Sequence, residues 1–299
     1  MQQIWTEKYR PSSFSEFRGQ NKIAERVKAL VESKNIPNLL FAGPAGVGKS
    51  TLALITAKEL FGEQWKENFL ELNASDARGI DVVRGVIKDF ARTGSLGSVP
   101  FKIIFLDECD SLTKEAQQAL RRTMENFTHN VRFVLSANFS SKIIDPIQSR
   151  CTVFRFKPLE EEEIKLMMNK IANEEGLTIN DRAMKAINEI ADGDARRATN
   201  IIQSTAAINK VINDELVYNL VSAAKPKEIS EFLTLAIQGN FIASRDKALD
   251  TMLKHGVSGI DLIKQIQKTI LELELDGLKK ASLIEKCGEI EFRMVEGSD

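Results

Sequence analysis

The feature that most narrows what this chain can fold into is Gly43-Pro-Ala-Gly-Val-Gly-Lys-Ser50, which fits G-x-x-x-x-G-K-[ST]. It follows the short apolar run Leu39-Leu-Phe-Ala42 and precedes the helix-forming Leu52 to Phe61. That is the strand, turn, helix order of a phosphate-binding unit. Glycines there let backbone N–H groups close around phosphate oxygens, and the helix N-terminus adds its positive dipole. Gly43, Pro44, Ala45, Gly46, Val47, Gly48, Lys49, Ser50 and Thr51 are therefore candidate nucleotide-binding residues, with Lys49 reaching the β and γ phosphates and Ser50 ligating Mg²⁺. Two further apolar runs, Ile103 to Leu106 and Val131 to Leu135, are too short for lone helices and are separated by a helical stretch. Strands alternating with helices imply a parallel sheet covered on both faces.

Each run ends in residues suited to the same chemistry. Asp107 and Glu108 close the first, so Asp107 can hold the Mg²⁺ shell while Glu108 polarises an attacking water. Asn138 closes the second, at the edge where such sheets bind ligands, and can orient that water or sense the γ-phosphate. Taken alone, an asparagine after a strand is a turn former, and its functional reading depends on the phosphate loop.

The α/β pattern fades after Phe154-Arg-Phe-Lys-Pro158, where proline and the acidic run Glu160 to Glu163 read as a linker opening a new helix. From there apolar residues recur at helical spacing, first to about Ala224 and then, past Lys225-Pro226, to the end. The expected domains are 1–158 (nucleotide-binding), 159–224 (a small helical lid) and 225–299 (an all-α collar). No apolar run is long enough to span a membrane, and the first residues lack the apolar stretch of a secretion signal, so a soluble, intracellular protein is expected. Cys109, Cys151 and Cys287 lie far apart without metal-ligand spacing and read as reduced thiols. The net charge of −1 confines any nucleic-acid surface to a local patch.

Taken together, Trp5-Thr-Glu-Lys-Tyr-Arg-Pro11, the phosphate loop, Asn73-Ala-Ser-Asp-Ala-Arg-Gly-Ile-Asp81, Asp107-Glu-Cys-Asp110, Ala116-Gln-Gln-Ala-Leu-Arg-Arg-Thr-Met-Glu125, Ser149-Arg-Cys151 and Gly193-Asp-Ala-Arg196 resemble the small subunits of replication factor C. These are AAA+ ATPases of the archaeal and eukaryotic sliding-clamp loader. The resemblance implies an α/β P-loop AAA+ domain, a parallel sheet flanked by helices, followed by a small helical lid domain and an all-α collar domain. It implies ATP-driven loading of the sliding clamp PCNA onto primer-template DNA, by a heteropentamer of four small subunits and one large one. It places the protein in the cytoplasm or nucleoid if archaeal and in the nucleus if eukaryotic.

Carried onto this sequence, Tyr9, Arg10 and Pro11 would line the adenine pocket, Arg196 would reach the γ-phosphate from the lid, and Arg150 would complete the neighbouring subunit's site in trans. The plainer readings of Arg150 and Arg196, without the family, are ion pairs. Ala45, Val47, Ser50 and Cys109 depart from the usual family wording but keep small side chains, and Ser50 keeps the hydroxyl. The family usually continues past Glu296-Gly-Ser-Asp299 by another collar helix, which leaves open a truncation here.

Arg84, Lys88 and Arg92 are spaced four apart on an expected helix, Arg78 precedes it, and Lys114 and Arg121 lie on the next one. Alone these read as a solvated charged face; in the family that helix lines the chamber holding duplex DNA. No aromatic platform accompanies them, so contact would be with the backbone, sequence-independent and weakened by salt. Two other readings stay open: another AAA+ motor, such as a branch-migration helicase or protein remodeller, and a structural ring subunit that does not hydrolyse nucleotide.

Overall fold

The computed structural model describes residues 3–75, 85–97, 99–222 and 224–297. Contacts divide the chain into two compact units, one of residues 1–175 with 188–200 and one of residues 176–187 with 201–299.

Among the described residues the first unit holds one parallel sheet of five strands: β1 (Leu39–Ala42), β2 (Phe69–Asn73), β3 (Lys102–Asp107), β4 (Val131–Ala137) and β5 (Thr152–Arg155), in the order β2-β3-β4-β1-β5. The strands β1, β3 and β4 are the three apolar runs anticipated above, and they occupy the middle of the sheet, buried on both faces as a parallel sheet requires. Neither edge strand was anticipated. The α/β pattern ends in β5, just before the linker at Pro158, and the Phe156 N–H continues its ladder onto Ala42 O at 2.7 Å. Phe154 and Phe156 both meet Phe41 edge-on, at 5.9 and 5.4 Å between ring centres. Contacts of this kind contribute about 0.5–1.5 kcal/mol each beyond burial, enough to fix so short an edge strand.

Two helices, α1 (Asn21–Glu32) and α2 (Lys49–Phe61), cover one face of the sheet through a core that includes Val27, Leu52, Ile55, Phe41 and Phe105. The other face carries α3 (Val86–Arg92) and α4 (Lys114–Asn126), which bury Ile87, Ala116, Leu120 and Met124 against Leu40, Ile104 and Leu135. Alternate residues of each strand point to opposite faces, so one ladder feeds two cores. The Thr113 hydroxyl accepts from Ala116 N and starts α4.

Three more helices follow: α5 (Glu161–Glu175), α6 (Asp181–Ala191) and α7 (Ala195–Ile208). The turn between α6 and α7 belongs to the first unit. In the second unit two-residue strands Thr178–Ile179 and Val211–Ile212 pair in parallel, a feature the helical periodicity did not suggest. It also holds α8 (Asp214–Val221), α9 (Pro226–Ile237), α10 (Phe241–His255), α11 (Gly259–Glu272) and α12 (Gly277–Val295), with Phe232, Val257, Leu262 and Ile270 in its interior. Glu228 closes a capping box on α9 and pairs with His255 and Lys254. Burial alone would raise its carboxyl, but these partners hold it at about 2. No helix among the described residues is long and apolar enough to cross a membrane.

Candidate nucleotide site

The phosphate loop leaves the C-terminal end of β1, its first N–H bonded to Ala137 O of the neighbouring strand at 3.1 Å. Gly46 and Gly48 adopt φ of +68° and +100°, conformations in which a Cβ is strained, and the second turns the chain directly into α2. Lys49, at 8% exposure, folds its ammonium back over this loop, donating to Gly43 O (2.6 Å), Pro44 O (2.7 Å) and Asn138 Oδ1 (3.0 Å). Burial pulls the Lys49 pKa below its ordinary value, while Asp107, Asp110 and Asp194 oppose that shift and Arg196 adds to it. A buried ammonium surrounded by carbonyl oxygens and carboxylates, above a loop of glycines, suits a polyphosphate. The hydroxyl of Ser50 and the carboxylate of Asp107 are hard oxygen donors of the kind Mg²⁺ takes.

At the end of β3, Asp107 accepts the Glu108 N–H at 2.9 Å, and Glu108 itself sits at a left-handed φ of +52°. Non-glycine residues adopt that conformation at a cost, and such strain gathers at functional sites. The next turn buries Cys109, whose thiol is pushed well above its ordinary pKa by burial, and presents Asp110. Asp110 grips the end of β4 with both oxygens, accepting from Asn138 N and Phe139 N at 3.2 Å each. In the sequence Asp110 stands only as the last residue of the motif Asp107-Glu-Cys-Asp110, with no role assigned to it. Its signal is the spacing Asp107-x-x-Asp110, one helical turn beyond the strand, which brings the second carboxylate round to the neighbouring strand end.

The turn before α7 also packs on the phosphate loop. Ala195 N donates to Gly46 O at 3.1 Å, and the Asp194 carboxylate, which caps α7 through Arg197 N (2.9 Å), lies where a Gly46 side chain would be. Arg196, two residues after Asp194, adds a positive charge that works with burial to lower the Lys49 pKa. At the N-terminus Arg10 donates to Thr51 Oγ1 at 3.3 Å and pairs with Glu7, while Tyr9 donates to Glu175 Oε1 at 2.7 Å and half-buried Pro11 follows. Burial, then Glu175, raises the Tyr9 pKa. Arg10 from the start of the first unit thus reaches the helix that follows the loop, and Asp194 and Ala195 from its end reach the loop itself.

Arg150 does not join them. It precedes β5, and because the strands are parallel it stands at their N-terminal end, opposite the phosphate loop; its own carbonyl accepts from Asn38, next to the start of β1. Its guanidinium pairs with Glu125 at 2.6 Å and donates to Pro146 O at 2.8 Å. Arg121 reaches the same Glu125 oxygen at 3.9 Å.

Of the candidate DNA contacts, Arg78 and Arg84 lie outside the described residues. Lys88 lines a cavity of about 450 Å³ between α3 and α4, together with Glu115, Gln118, Arg122 and Asn126. Arg92 is exposed beside Asp89. Lys114 and Arg121 lie about 100° round α4 from that cavity by helical geometry, and Arg121 turns to Glu125, so the structure does not bring Arg121 together with Lys88. The cation that lines this cavity with Lys88 is Arg122, which shares its helix face with Glu115, Gln118 and Asn126 and is recoverable from spacing.

Comparison with known proteins decides the family. Residues 39–159 match the ATPase family associated with various cellular activities, and residues 224–299 match the replication factor C C-terminal domain. The chain is 47% identical over 297 residues to the replication factor C small subunit of Archaeoglobus fulgidus, covering 99% of this chain and 93% of that one. Identity to the same subunit of Methanocella arvoryzae is 51% over 296 residues, covering 99% and 92%. This chain belongs to the replication factor C small subunit family. Membership makes the phosphate loop that of an AAA ATPase, a class that binds and hydrolyses ATP. Among solved structures, a point mutant of RuvB from Thermotoga maritima superposes with a TM-score of 0.59 at 21% identity, covering 89% of this chain and 91% of that one. A second RuvB structure, described as a Holliday junction branch migration motor, gives 0.57 at 21%, covering 76% and 79%. At that identity the likeness is one of fold.

Proposed function

We propose that this replication factor C family member is an ATP-driven clamp-loader subunit, working in a heteropentamer of four small subunits and one large one that opens PCNA and sets it on primer-template DNA. The observation that carries the reading is the placement of Arg150 at the end of the sheet opposite the phosphate loop. An arginine so placed is out of reach of its own nucleotide and is presented outward, which favours an ATPase completed by assembly.

Lys49 leaves the loop carbonyls to take up the β and γ phosphates, a move aided by the mismatch between its charge and its burial. Ser50 and Asp107 would hold Mg²⁺, which supplies charge neutralisation between the phosphates when bound. Glu108 polarises the attacking water, and Asn138, fixed by Asp110, orients it. Arg196 reads the γ-phosphate from the first turn of α7, while Tyr9, Arg10 and Pro11 border the base. Arg150 stabilises the transition-state charge at the neighbouring subunit's site. The basic surface for the DNA backbone is that of Lys88, Arg92 and Arg122, a reading supported by Lys88 and Arg122 lining one cavity; Arg121, turned to Glu125, does not share it.

The test is steady-state ATP hydrolysis by the subunit assembled with its large partner, with and without primed DNA and clamp. DNA and clamp together should raise the rate, and Arg150→Ala should lower the stimulated rate by on the order of 10³ while ATP binding persists. A rate indifferent to both ligands would overturn the loader reading and favour another AAA+ role.

A further inference from the structure

Arg150 can act on a neighbour only if its long side chain is presented in one orientation, and the structure contains the group that does this. Glu125, in the last turn of α4, accepts from Arg150 Nη2 through Oε1 at 2.6 Å, while Pro146 O accepts from Nη1 at 2.8 Å. These two acceptors on two different nitrogens set the plane of the guanidinium, Ser149 Oγ accepts a longer bond from Nη1 at 3.5 Å, and the remaining N–H groups are left for a ligand. The pair is open to solvent, with side chains 37% and 38% exposed, and exposed pairs contribute little to stability. What such a contact does supply is orientation, because a free arginine spreads over many rotamers.

A carboxylate beside Arg150 would also blunt its positive charge, and here Arg121 offsets that loss. It sits one helical turn before Glu125 and approaches the same oxygen at 3.9 Å, so the trio keeps a net charge of +1.

We propose that Glu125 is a positioning residue for Arg150, presenting its guanidinium to the nucleotide of the adjacent subunit, with Arg121 as the compensating charge. The inference rests on the reading of Arg150 as a group acting in trans. It is tested by a double-mutant cycle of Glu125→Gln and Arg150→Ala in the assembled complex, following kcat and KM for ATP with DNA and clamp present. Glu125→Gln is expected to lower kcat by about ten-fold with KM unchanged. In the Arg150→Ala background it is expected to have no further effect, since the group it positions is gone. Glu125→Asp, which keeps the charge but shortens the reach, should fall between, and serves as the second variant should Glu125→Gln fail to assemble.

A merely structural role would shift the melting temperature and act equally in both backgrounds, and that result overturns the proposal while leaving the trans reading of Arg150 intact. Loss of kcat on Arg150→Ala with no loss on Glu125→Gln also overturns it. An Arg150→Ala complex with unaltered kcat overturns both readings together.

Discussion

Replacing Gly46 with alanine tests how the turn before α7 is fastened to the phosphate loop. Gly46 has a φ of +68°, and a Cβ built on it would lie 1.7 Å from Asp194 Oδ1. The backbone strain of an L-residue there is about 1–2 kcal/mol. The overlap falls on a side chain that can swing away, but Asp194 Oδ1 is the acceptor that caps α7 through Arg197 N. Displacing it forfeits that cap, about 1 kcal/mol. Gly46→Ala should therefore destabilise the first unit by about 2–3 kcal/mol, and Asp194→Ala by about 1 kcal/mol. The double variant should be no less stable than Gly46→Ala alone, because the cap cannot be lost twice. Urea titration read by tryptophan fluorescence reports this unit selectively, since both tryptophans, Trp5 and Trp65, lie in it. A double variant whose loss equals the sum of the two singles would refute the contact between Asp194 and the loop.

Other outcomes follow from the same geometry. Asp110→Ala removes the acceptor that holds the N–H groups of Asn138 and Phe139, so kcat should drop by about ten-fold or more while ATP binding stays near wild type; an unaltered kcat would show that Asn138 needs no such support. Gln117, 2% exposed, gives its amide to Leu112 O and Lys142 O and accepts from Ile144 N. Gln117→Leu strands those three backbone groups and should cost about 3–5 kcal/mol in denaturant titration, whereas a loss under about 1 kcal/mol would mean that water replaces the amide. In the second unit, Glu228 titrates at about 2 against an ordinary 4.5, so it binds fewer protons folded than unfolded. Its contribution is complete above pH 4.5 and fades as the pH falls towards 2. The stability difference between wild type and Glu228→Gln, followed by circular dichroism against pH, should narrow through that window; a constant difference would contradict the pairing with His255 and Lys254.

The groups that bind phosphate are contiguous, and that is why they could be read from the chain. Backbone amides, glycines with positive φ, a lysine and a hydroxyl within Gly43 to Ser50 make their cradle out of local conformation, and the apolar runs of β1, β3 and β4 announce themselves because both of their faces are buried. The carboxylates Asp107 and Glu108 come with their strand for the same reason. The edge strands β2 and β5 escaped notice because a four- or five-residue strand with one open side has no periodicity of its own, and only pairing with β3 and β1 makes it a strand. Side chains acting across distance were likewise settled only by folding. Asp110 meets Asn138 because β3 and β4 are neighbours in the sheet, and Asp194 meets Gly46 because the turn before α7 closes over the loop. Arg150 found Glu125 rather than a phosphate because parallel strands put their two ends on opposite sides of the molecule. A sequence determines which groups are available and what local turns they favour; which of them share a few ångströms is decided by strand order and helix packing, where the free energy is spread over many apolar contacts that no single motif records.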